Sequence, residues 1–145
     1  VLMHGFALDA AGRKMSKSYN NYIALSDTQE AVRKKVQGMF TDPKRIRLAD
    51  KGHPDKCSVF AYYVAFAPGL KNQVKERCEK GQIGCTECKK ELSALLLEVL
   101  APIQKRREAL QEDTKLIQDI LRKGQERAAQ LARKTIAEVK GLLKI

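Results

Sequence analysis

At 145 residues the chain is long enough for one globular core, and an apolar content of 43% is ordinary for a soluble fold. No run approaches the roughly 18 apolar residues that a membrane-crossing helix needs, and no signal-peptide pattern opens the chain. The 28 Lys and Arg outnumber the 17 Asp and Glu, a net charge of +11. A surplus of that size attracts polyanions, so nucleic acid or nucleotide phosphate is the first partner to consider; the bland alternative is a basic surface that maintains solubility.

The chain begins at Val1 instead of Met, directly in an apolar run, so a piece of a larger protein with essential parts upstream is expected. Val1 to Leu8 reads as a short strand, closed by the turn signal Asp9-Ala10-Ala11-Gly12. Arg13 to Asn21 is polar and reads as a loop. Ser26-Asp27-Thr28 followed by Glu30 is a helix start, and Ala31, Val32, Val36, Met39 and Phe40 keep helical spacing to about Phe40. Thr41-Asp42-Pro43 breaks that helix. Gly52 to Asp55 leads into Cys57 to Phe66, apolar nearly all round, which suits a buried helix and leaves a strand possible from composition.

Ala67-Pro68-Gly69 ends this segment, and Lys71 to Lys80 reads as an exposed amphipathic helix closed by Gly81 and Gly84. From about Thr86 the pattern is helical to the end. Leu92, Leu95, Leu96, Val99, Leu100 and Ile103 form one stripe, with Pro102 expected to kink or divide the helix. Asp113-Thr114 offers a fresh N-cap, and a second stripe runs from Leu116, Ile117, Ile120 and Leu121 through Ala128, Leu131, Ile136 and Val139 to Leu143. The fold class is therefore mainly α, and both stripes read most simply as helix-bundle core.

Lys14-Met15-Ser16-Lys17-Ser18 is the most informative stretch. Each ammonium is a point charge suited to a phosphate oxygen, and the serine hydroxyls and nearby backbone N–H groups add donors. On the residues alone, a phosphate-binding loop and a solvated turn both stay open. Arg13 to Ser18, preceded by Asp9 to Gly12, resembles the KMSKS signature of class I aminoacyl-tRNA synthetases at every signature position. The resemblance implies a loop that closes over ATP, in which Lys14 and Lys17 stabilise charge on the departing pyrophosphate and Mg²⁺ shares the task. It also implies that Ser16 and Ser18 bind ATP phosphates or shape the loop, that Met15 packs it down, and that Asn21 matches an Asn often found just after the signature.

The rest of the chain bears on which amino acid. Thr41-Asp42-Pro43 with Arg45, Gly52-His53-Pro54, and Leu100-Ala101-Pro102-Ile103 with Arg106-Arg107 are similar to bacterial tryptophanyl-tRNA synthetases, across essentially the whole chain. The related tyrosyl enzymes usually differ within the loop and lack these cysteines. The resemblance implies ATP, tryptophan and tRNA(Trp) as substrates, a homodimeric enzyme and a cytoplasmic location. On this reading residues 1–40 end the Rossmann-type catalytic domain with its last strand and the KMSKS loop. Residues 41–145 form a helical anticodon-binding domain.

Cys57, Cys78, Cys85 and Cys88 are the only cysteines, at intervals Cys-x20-Cys-x6-Cys-x2-Cys. A Cys-x2-Cys pair directs two thiolates at one site, and for a cytosolic enzyme a metal explains them better than disulfides; simple structural thiols are the bland alternative. Four thiolates suit Zn²⁺ or a [4Fe–4S] cluster. A subset of the resembling bacterial enzymes carries a four-cysteine iron–sulfur motif, whose last two intervals are matched here and whose first is approximated. That resemblance favours the cluster, in a structural or tRNA-positioning role.

From Lys105 to Ile145 there are 11 Lys or Arg against 6 Asp or Glu. In the resembling enzymes the C-terminal helices recognise the anticodon, which nominates Arg106 and Arg107 as tRNA contacts, with Arg122, Lys123, Arg127, Arg133 and Lys134 following at helical intervals. A solvated face with i,i+4 ion pairs is the alternative for any one of them. The rival to a synthetase is a non-catalytic, metal-bearing nucleic-acid-binding module. The second class I signature, His-Ile-Gly-His or a variant, is absent from these residues, so the chain is expected to be inactive by itself.

Overall fold

The computed structural model describes residues 13–144. The expected strand from Val1 to Leu8 and the turn at Asp9–Gly12 lie outside them. The described residues are mainly helical, as the apolar periodicity requires, and their only β feature is an isolated bridge at Lys14.

Helix α1, Gln29–Gln37, begins where Thr28 Oγ1 accepts a hydrogen bond from Ala31 N at 3.2 Å. That contact satisfies one of the amide donors that a helix start leaves unpaired. Helix α2, Ser58–Phe66, resolves the helix-or-strand ambiguity in favour of the helix. It buries Val59, Phe60, Tyr62 and Tyr63 and stops at Ala67, because the residue before Pro68 avoids the helical region. Helix α3, Lys71–Glu79, packs on α2. It ends with Gly81 at φ +67°, where Gln82 N reaches back to Arg77 O at 2.8 Å, the geometry of a Schellman cap. A Cβ at Gly81 would also lie 3.0 Å from Ala49 O.

Helix α4, Cys85–Glu112, carries Pro102 in its interior, so of the two expected outcomes, a kink or a division, the division does not occur. Pro102 removes the amide that would bond the Glu98 carbonyl, but this part of the helix is exposed and water can solvate that carbonyl. The break falls instead at Asp113, whose side chain accepts from Leu116 N at 2.9 Å and caps α5, Thr114–Leu143.

The chain forms two compact units, Val1–Gln104 and Lys105–Ile145. The core of the first joins Met15, Ile23, Val32, Val36 and Met39 to the apolar face of α2, Val74, and Leu92, Leu96 and Leu100. Packing in this unit thus continues past residue 40. Two polar ties fasten the end of α1 and the segment before it to α4: Lys89 Nζ donates to Gln37 O and Gln104 Nε2 to Asp27 O, both at 2.8 Å. In the second unit the expectation of a buried stripe fails. No residue of α5 is buried, and Leu121 and Leu131 are 67% and 60% exposed. Helical spacing creates an apolar face, but burial also requires an opposing surface.

Candidate phosphate loop and four-cysteine site

The segment Arg13–Asn21 is a compact turn whose residues face in different directions. Lys14, Lys17 and Ser18 are exposed, Ser16 is half-buried, and Met15 is 4% exposed and belongs to the core of the first unit. A single apolar side chain therefore anchors a loop that presents two ammonium groups to solvent. The turn is closed from within: Ser16 N donates to Asn21 Oδ1 at 2.7 Å, Tyr19 N to Ser16 Oγ at 3.3 Å, and Asn20 N to Lys17 O at 3.0 Å. Asn20 sits at φ +50°, a conformation Asn tolerates better than most residues. The Arg13 guanidinium lies 4.9 Å from the centre of the Tyr19 ring. Asn21, to which sequence comparison gave no definite task, is thus the side chain that shapes the loop.

The four cysteines come from three elements. Cys57 caps α2, Cys78 lies in the last turn of α3, and Cys85 and Cys88 lie in the first turn of α4. All four are half-buried free thiols. Burial pushes the Cys57 and Cys78 thiols up, and takes Cys88 up to about 12. The neighbouring thiols add to each shift: Cys57, Cys78 and Cys85 all oppose ionisation of Cys88. The four side chains therefore share one electrostatic neighbourhood. They do not converge on a point, for among the described residues no three His, Cys, Asp or Glu side chains are gathered closely enough to hold a single metal ion.

Cys78 is held most closely. Gly52 N donates to Cys78 O at 3.1 Å, and a Cβ at Gly52 would collide with Cys78 Sγ. The Arg45 guanidinium donates through one nitrogen to Cys78 Sγ at 3.7 Å and through another to Leu48 O at 2.9 Å. Its charge partly offsets the effect of burial on that thiol.

Sequence reasoning missed the partnership of Asp42 and His53. It treated the first as part of a helix breaker and the second as part of a family resemblance. Asp42 is buried and accepts from Lys44 N at 3.0 Å, His53 N at 3.0 Å and His53 Nδ1 at 2.6 Å. Burial is the largest single influence and opposes ionisation. The hydrogen bonds from His53 and the two amides together outweigh it and hold the carboxyl below its ordinary value. The pair fixes the start of the loop that carries Arg45 and Gly52 to Cys78.

In the second unit Arg106 and Arg107 are exposed on α4, and among the described residues neither takes part in an ion pair. Arg122, by contrast, is committed to Glu126 at 2.9 Å and Asp119 at 3.4 Å, the solvated-face arrangement. No described helix is long and apolar enough to cross a membrane.

The loop and the helices behind it define a class. The sequence profile of tRNA synthetases class I (W and Y) matches residues 1–101, and the chain belongs to that family. Within it the chain is similar to the tryptophan–tRNA ligase of Aquifex aeolicus, with 42% identity over 131 residues that cover 89% of this chain and 33% of that protein. The tryptophan–tRNA ligase of Thermotoga maritima is 37% identical over 131 residues, covering 89% of this chain and 40% of that one. A solved structure of the Campylobacter jejuni tryptophanyl-tRNA synthetase, complexed with ADP and tryptophan, superposes with a TM-score of 0.85, covering 97% of this chain and 44% of that one. At 22% identity this last likeness is one of fold. The chain spans about a third to two fifths of the length of the curated relatives it matches.

Proposed function

We propose that this chain supplies the phosphate side of the active site, and the tRNA-binding helices, of a tryptophan–tRNA ligase. The complete enzyme activates tryptophan with ATP to the aminoacyl-adenylate and transfers it to tRNA(Trp). The observation that carries the reading is the loop in which a buried Met15 sets two exposed lysines, Lys14 and Lys17, on either side of a half-buried serine. In adenylation the tryptophan carboxylate attacks the α-phosphorus, and the bond to the β-phosphate breaks with its electrons passing to pyrophosphate. Lys14 and Lys17 stabilise that growing charge, which Mg²⁺ would help to neutralise when bound. The Ser16 and Ser18 hydroxyls donate to phosphate oxygens, and Met15 keeps the loop seated.

On this reading residues 1–40 end the catalytic domain and residues 41–145 bind the anticodon arm, with Arg106 and Arg107 on its phosphates. The complete enzyme is a cytoplasmic homodimer. Cys57, Cys78, Cys85 and Cys88 would hold a [4Fe–4S] cluster, with Zn²⁺ as the alternative. A cluster takes one thiolate on each iron, so it suits neighbouring thiols that do not converge better than one Zn²⁺ ion with four bonds of about 2.3 Å does. When bound it supplies a cross-link between the starts of α2 and α4 and the end of α3.

Two substitutions in the complete enzyme test the reading. Lys17→Ala should lower kcat for tryptophan-dependent ATP–pyrophosphate exchange by about 10²- to 10³-fold with tryptophan affinity unchanged. Replacing Arg106 and Arg107 by Glu should raise KM for tRNA more than KM for ATP. An unaltered exchange rate in the first variant removes the loop's assignment, and the 145-residue chain alone should give no exchange.

A further inference from the structure

The hydroxyl of Tyr62 is fully buried on α2, and among the described residues its hydrogen-bond partner is Met15 Sδ, at 3.5 Å and 47 residues away in sequence. A thioether is a weak acceptor, a poor use of a core hydroxyl if packing were its only purpose. Phenylalanine would fill the same volume: the Tyr62 ring already packs against Phe66, with centroids 5.8 Å apart. The hydroxyl is thus spent on the one loop residue that anchors Lys14 and Lys17.

We propose that Tyr62 is a positioning residue for the phosphate loop, its hydroxyl latching Met15 so that the two lysines stand at a fixed height over the nucleotide phosphates. The proposal rests on the reading of Lys14 to Ser18 as the ATP-phosphate loop. The weakness of the bond fits the task. If Met15 lifts out, the buried hydroxyl loses its partner, which favours return of the loop. Because the acceptor is thioether sulfur and not a carboxylate, the latch still opens readily enough for nucleotide exchange. Burial of Met15 supplies an apolar restoring force in the same direction.

Oxidation of the full chain by dilute hydrogen peroxide, followed residue by residue by mass spectrometry, tests the latch without reference to activity. Met39, 2% exposed in the same core, is the internal control. Tyr62→Phe should speed Met15 sulfoxide formation by about two- to fivefold, the factor expected for one modest hydrogen bond, and leave Met39 and the melting temperature almost unchanged. Equal acceleration at both methionines, or none at Met15, overturns the proposal, because it would make Tyr62 a general core residue.

In the complete enzyme, Tyr62→Phe and Met15→Leu should each lower the exchange rate by a similar factor. The double variant should be no worse than either, since both remove one interaction. Multiplying effects would overturn the latch. Selective Met15 oxidation in a protein whose wild type lacks tryptophan-dependent exchange would support the latch and reject the synthetase reading instead.

Discussion

Helices α4 and α5 carry apolar stripes of similar spacing and meet different fates. Leu92, Leu96 and Leu100 on α4 are fully buried in the core of the first unit, whereas Leu121 and Leu131 on α5 remain largely exposed in the second. The difference teaches that helical spacing sets the direction of an apolar face, and that only a second surface turns it into core. On α4 that surface is built from α1, α2 and the anchored loop, which is why Met15 can be a core residue while its neighbours Lys14 and Lys17 stay exposed.

The sharpest way to break this comparison is a matched pair of truncations. Leu96→Ala should destabilise the chain by about 2–5 kcal/mol through lost burial and the cavity left behind, and Leu131→Ala should stay within about 0.5 kcal/mol. Denaturant melts of the two variants decide it, and comparable losses would mean that α5 is packed in solution.

Next in size is Gly52→Ala. A Cβ there meets Cys78 Sγ and lies 3.0 Å from Cys78 O, so the variant should lose about 1–3 kcal/mol from overpacking. If the four cysteines hold the proposed cluster, the variant should also retain less iron and sulfide after anaerobic purification. Full retention would separate Gly52 from the cysteine site.

The smallest effect concerns pH. The carboxyl of Asp42 is held below its ordinary 3.8, so on acidification the unfolded chain takes up its proton first. The stability this group contributes is fully present above about pH 4 and lost as pH falls through the lowered native value. Asp42→Asn should therefore cost about 1 kcal/mol at neutral pH and flatten the acid limb of a stability–pH curve. An unchanged acid limb would show that other carboxylates dominate it.

Local chemistry made much of the molecule legible in advance. Thr28 and Asp113 act as caps where hydroxyl and carboxylate acceptors for the free amides of a helix start were expected, and the all-round apolar run at Ser58–Phe66 forms a buried helix. The polar loop and its packing by Met15 were legible because a contiguous signature carries them. Partners distant in sequence were not: Asp42 with His53, Gly52 against Cys78, and Tyr62 on Met15 each depend on where loops cross. No periodicity encodes such crossings. The exposure of α5 was illegible for the opposite reason, since its own sequence gives a clear apolar stripe and cannot say what lies opposite.

The bare stripe of α5 also governs how the chain behaves in concentrated solution. A net charge of +11 keeps copies apart at low ionic strength, where repulsion reaches roughly 10 Å or more. At about 1 M salt that reach shrinks to about 3 Å, and repulsion no longer masks the exposed leucines. Added salt strips away the colloidal protection of a surface that is both basic and greasy, so this chain should be least soluble where an ordinary basic protein is comfortable.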